Sequence, residues 1–170
     1  MKTIKKIFGS TIALLGFVVG ANAQSTATAS TTAVLVAPIA ISKTIDMHFG
    51  TLAASGTAGT VDLNYDNSRV ASTQVKLLAG AGLEKAAVFN VTGEGTSGFA
   101  ITIPTGDITL TGSVTGTMIV NNITADLGAS SNLSSGAATI KVKARLTVGA
   151  GQPAGTYTNA AGLFVTVNYN

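Results

Sequence analysis

Thr139-Ile140-Lys141-Val142-Lys143-Ala144-Arg145-Leu146-Thr147-Val148 decides the fold class. In an extended chain successive side chains point to opposite faces, so Ile140, Val142, Ala144, Leu146 and Val148 share one face while Lys141, Lys143 and Arg145 share the other. A period of two over ten residues is the pattern of a half-buried β-strand. The same period recurs outward from this stretch. It is clear at 86–92, where Ala87, Phe89 and Val91 fall on one face, and at 99–103, where Phe99, Ile101 and Ile103 do. Further strands are expected at 108–110, 116–124 and 163–169, and earlier at 33–43, 61–65 and 69–78. Gly/Ser/Ala-rich turns separate them at 50–60, 93–98, 125–136 and 149–155. No segment after Gln24 sustains the i, i+3, i+4, i+7 spacing of a helix, so the chain reads as all-β, a sandwich or barrel of about eight to ten antiparallel strands.

The first residues have a different character. Lys2, Lys5 and Lys6 precede an apolar run over 7–20, and Ala21-Asn22-Ala23 forms a small-x-small cleavage site before Gln24. This reads as a secretory signal peptide over 1–23. The run is shorter than the roughly 20 residues that span a bilayer, and no transmembrane segment is expected in the mature chain. We therefore expect an exported protein that passes through the periplasm to the extracellular space or cell surface. Its organisation would be a signal peptide over 1–23, an N-terminal extension or first strand over 24–37, and a domain over 38–170.

Cleavage removes three of ten Lys+Arg and leaves seven cations against seven Asp+Glu, so the net charge of +3 belongs to the precursor and the mature chain is neutral. Counterion release then has little to act on, and nucleic acid is not an expected partner. Charged residues make up 10% of the chain against a typical share of about 25%, and 46% are apolar. Such a chain folds rather than staying disordered, and a neutral surface resists self-association poorly. There is no Cys and no Trp, and the one His is His48. Thiolate chemistry, multi-His metal sites and stacking platforms therefore lack their residues. No enzyme activity and no cofactor are expected.

Four motifs have plainer readings. Gly93-Glu94-Gly95-Thr96-Ser97-Gly98 has the G-x-G-x-x-G spacing, but the alternating strand Phe99-Ala100-Ile101-Thr102-Ile103-Pro104 follows where a phosphate-binding helix is needed, so a hairpin loop is expected. Asp62-x-Asn64-x-Asp66 opens like a calcium loop, yet Asn67 and Thr73 stand where Gly and Glu belong, which favours a solvated strand face. His48 beside Asp46 has no nucleophile in a recognisable elbow and reads as a surface or loop histidine. The row Lys141, Lys143 and Arg145 could hold an acidic glycan or partner, or form a solvated face that discourages misplaced pairing. Asn90, Asn122 and Asn132 head incidental N-x-S/T matches. A small outer-membrane barrel lacks its aromatic girdles, because only Phe49, Phe89, Phe99, Phe164, Tyr65, Tyr157 and Tyr169 remain after cleavage.

From Lys43 onward the chain resembles a family of secreted bacterial Ig-like β-sandwich domains of unknown function that lies close to spore coat protein U and the Mat-type fimbrial subunits. The residues carrying the resemblance are Lys43-Thr44-Ile45-Asp46-Met47-His48-Phe49-Gly50-Thr51, Phe89-Asn90-Val91-Thr92-Gly93, Ile101-Thr102-Ile103-Pro104, Gln152-Pro153-Ala154-Gly155-Thr156-Tyr157 and Val165-Thr166-Val167-Asn168-Tyr169. The resemblance implies an all-β, Ig-like β-sandwich of antiparallel strands, of Greek-key type. It also implies assembly with identical or related subunits into surface fibres, by way of a periplasmic chaperone and an outer-membrane usher.

The function expected from these readings is a secreted, non-enzymatic structural subunit of a fimbria-like or pilus-like appendage or coat, joined by β-strand addition. Residues 27–41 could be donated, with Val34/Val36 and Ile39/Ile41 as apolar pairs and Pro38 limiting how the chain pairs between them; the same stretch could instead be the protein's own first strand. Val165, Val167 and Tyr169 of the terminal strand complete the assembly candidates, and this strand is where a chaperone would pair. The alternative is a monomeric extracellular module that binds a carbohydrate or another ligand.

Overall fold

The structure is a computed structural model and describes residues 24–79 and 82–170. The expected signal peptide over 1–23 lies outside these residues. Residues 24–34 are exposed and belong to no strand or helix. The chain from Leu35 onward forms the fold.

Thirteen strands follow one another: β1 (Ala40–Ile45), β2 (Leu52–Ala54), β3 (Gly59–Leu63), β4 (Arg69–Ala71), β5 (Val75–Leu77), β6 (Ala87–Thr92), β7 (Gly98–Thr102), β8 (Ile108–Gly112), β9 (Thr117–Ala125), β10 (Ser130–Asn132), β11 (Ala137–Val148), β12 (Tyr157–Thr158) and β13 (Thr166–Tyr169). Every pairing is antiparallel. The described residues contain no helix long and apolar enough to cross a membrane.

The alternating stretch that decides the fold class becomes β11, the strand on which the main sheet is built. One edge pairs with β6 over residues 137–142 and with β3 over 144–148. The other edge pairs with β9. The sheet then extends through β6 to β1, through β3 to β4, and through β9 to β8 and β12. β7 lies between β10 and β13 in a three-stranded sheet, and β2 pairs with β5 in a small third one. Across from Lys143 and Arg145, β9 carries one residue more than β11, a bulge in which Asn122 takes a φ of 50°. Such a bulge increases local twist and curls the sheet.

The inward face of β11 links two apolar clusters. Ile140 and Val142 pack with Phe89, Val91, Phe99, Ile101, Leu133 and Val167. Ala144, Leu146 and Val148 pack with Phe49, Val61, Leu63, Val75, Ile108 and Val120. Met47, Ile123 and Leu163 touch both clusters and join them into one core.

Several expectations need adjusting. The strand expected over 33–43 starts only at Ala40, and the one over 163–169 only at Thr166. The stretch 69–78 divides into β4 and β5, because Ser72 donates to the Thr60 carbonyl and then accepts from Val75 N–H, making a turn. The loop over 93–98 is not a hairpin: β6 and β7 belong to different sheets, and the loop carries the chain from one to the other. β2, β10 and β12 fall within or beside stretches read as turns.

Candidate assembly site

The assembly candidates divide into two groups. Val167 is buried, and Ile39, Ile41, Val165 and Tyr169 are half-buried around it in the cluster of Phe89, Phe99 and Ile140. Ile41 is also a strand residue, opposite Val91 in the β1–β6 pairing. These residues belong to the chain's own core. Val34 and Val36 stand apart, 84% and 49% exposed, with Leu35 between them 99% exposed.

Ala37 marks the change between the two groups. Its backbone N–H donates to the Glu94 carboxylate at 3.1 Å, and its carbonyl accepts from the Tyr169 hydroxyl at 2.8 Å. The same hydroxyl accepts the Glu94 backbone N–H at 2.6 Å. Two side chains thus satisfy both polar groups of one residue, much as a neighbouring strand would. Gly93 leaves room for this contact, because a Cβ at that position would collide with the Tyr169 hydroxyl and with Leu133. The chain is held from Ala37 onward, and residues 24–36 precede the clasp as an arm without a charged residue.

The basic row is not a free patch. Arg145 donates from Nε and Nη2 to the two carboxylate oxygens of Asp62 at 2.6 and 2.8 Å. Lys143 lies over the Tyr65 ring, 5.1 Å from its centroid. Nor does the row guard an edge, since β11 is paired on both sides. The Arg145 hydrogen bond holds the Asp62 carboxyl below its usual range, outweighing a smaller effect of burial. Hydrogen bonds from the Ser68 hydroxyl and N–H do the same for Asp66. The two acids of the calcium-like motif therefore have separate partners, and among the described residues no three His, Asp or Glu side chains converge as metal ligands.

His48 is exposed and exchanges backbone hydrogen bonds with Lys85, while its Nδ1 accepts from Gly50 N–H at 2.8 Å. Asp46 is paired with Lys43 and not with His48.

The family described as "Domain of unknown function (DUF4402)" matches residues 39–169. The chain belongs to this family. The DUF4402 match begins two residues after the clasped Ala37 and ends at Tyr169, whose hydroxyl makes the clasp, so the exposed arm lies outside it. No curated protein and no solved structure gives a significant match.

Proposed function

We propose that this DUF4402 chain is a secreted, non-enzymatic structural subunit of a bacterial surface appendage or coat. In this reading the two packed layers are an Ig-like Greek-key sandwich akin to spore coat protein U and the Mat-type fimbrial subunits. Copies join by β-strand addition, in which an extended segment of one copy completes the next. Backbone hydrogen bonds supply affinity and alternate side chains supply register. The signal-like segment over 1–23 directs export, and a periplasmic chaperone and an outer-membrane usher are the partners in transit.

The observation that carries the reading is the arm. Exposed apolar residues scattered singly are ordinary on a protein surface, but Val34, Leu35 and Val36 are consecutive, exposed and placed just before a fixed point of the fold. Six of the arm's 13 residues are Thr or Val, and β-branched residues favour extended chain. Val34→Ser with Val36→Ser removes the apolar pair without touching the core. The double variant is expected to stay monomeric at concentrations where the unaltered protein associates, as read by light scattering. A protein that is monomeric with or without the change supports the ligand-binding module instead.

A further inference from the structure

Of the seven aromatic residues after Ala23, six are engaged. Phe49, Phe89 and Phe99 are buried in the core. The Tyr65, Tyr157 and Tyr169 hydroxyls donate to Thr124, to the Pro153 carbonyl and to the Ala37 carbonyl. Phe164 is the exception, 50% exposed. It alternates with Leu163 and Val165, which pack against the core. A lone exposed Phe is ordinary, but this one borders a shallow cleft of about 550 Å³, together with Pro104, Thr105, Asp107 and Asn159.

One wall of the cleft is fixed in advance. Asn159 Nδ2 donates to the Thr109 carbonyl at 2.9 Å, and its Oδ1 accepts from the Ala161 and Gly162 N–H groups at 3.0 and 2.7 Å. One side chain thus holds the 159–162 bend against β8. Gly162 permits the close approach, because a Cβ there would collide with Ile108 and Asn159. The other wall carries a carboxylate without a competing cation. The ion pairs of the described residues are Lys43–Asp46, Arg69–Glu84 and Arg145–Asp62, and the exposed Asp107 is in none of them. No Lys, Arg or His is among the described residues lining the cleft.

An open aromatic ring beside an uncompensated carboxylate complements a neutral sugar. The C–H face of a hexose covers the ring, and its hydroxyls donate to the carboxylate in charge-assisted hydrogen bonds. An acidic sugar would meet like charge and find no cation.

We propose that the cleft between Phe164 and Asp107 binds a neutral hexose. It uses no residue of the arm, so this site and strand addition stand or fall separately. The test titrates the ¹⁵N-labelled full chain, carrying Val34→Ser and Val36→Ser to keep it monomeric, with the methyl glycosides of glucose, galactose and mannose. Methyl glucuronide is the acidic control. At least one neutral glycoside should shift the Gly106, Asp107 and Phe164 amides together and saturate at a Kd of about 1–10 mM. The glucuronide should bind at least about tenfold more weakly. Phe164→Ala should abolish the shifts, Phe164→Tyr should retain them, and Asp107→Asn should weaken binding about tenfold. Melting temperatures should stay unchanged, since neither side chain lies in the core. No saturable shift with any of the three neutral glycosides, or equal binding by the folded Phe164→Ala variant, overturns the site.

Discussion

The Tyr169 hydroxyl donates to the carbonyl of Ala37, 132 residues earlier in the chain, at 2.8 Å. This bond ties the last strand to the point where the arm begins, and with the Glu94 carboxylate it sets where the fold ends and the arm starts. Replacing Tyr169 by Phe keeps the ring and removes the hydroxyl. The expected cost is about 0.5–1.5 kcal/mol, with faster amide hydrogen exchange at Ala37 and Glu94. Unchanged exchange at both amides would contradict the clasp.

Gly93→Ala tests the same place by crowding. The added Cβ must displace the Tyr169 hydroxyl or Leu133, an overpacking cost of about 1–3 kcal/mol. A melt equal to that of the unaltered protein would show that the 93–94 corner is looser than described.

Val167 is 8% exposed, while Asn168 beside it is exposed. Val167→Asp places a carboxylate among Phe99, Ile101 and Ile140, and an unpaired buried charge is among the most damaging substitutions. With no disulfide to compensate, folded protein should fail to accumulate. Asn168→Asp should lie within about 0.5 kcal/mol of the original. Thermal melts and yields of the two variants decide this, and equal behaviour would mean that the inward face of β13 is misassigned.

The Arg145–Asp62 pair fixes the direction of one pH effect. The folded Asp62 carboxyl is held below its usual range, so its contribution is complete above the unfolded value of about 3.9 and is lost as pH falls through the lower folded value. The side chains are 40% and 37% exposed, which limits the pair to less than about 1 kcal/mol. Asp62→Asn should therefore lower the melting temperature by a small, constant amount from about pH 8 to 5, with the gap closing below about pH 4. A gap that widens in acid would contradict the assignment.

Long alternating stretches made the core readable. β11 and β6 each carry three or more apolar residues at period two, and burial follows that period. The short strands are different: Ser130, Ser131 and Asn132 of β10, or Tyr157 and Thr158 of β12, are too few and too polar to show a period, and only their neighbours make them strands. At 163–165 the reverse holds, since the period is present but no neighbouring strand completes the ladder. Val34 and Val36 stood out as apolar residues in a polar stretch. The clasp did not, because its target is the backbone of an alanine and its partners lie 57 and 132 residues away.

The central claim, assembly through the arm, is tested most directly by electrophoresis of purified native protein in mild detergent, with and without boiling. The account predicts a ladder of oligomers that survives the detergent and collapses on boiling, and a single monomer band when residues 24–36 are deleted or when Val34 and Val36 are both Ser. A monomer band from the unaltered protein at high concentration, or a ladder that persists without the arm, would contradict it.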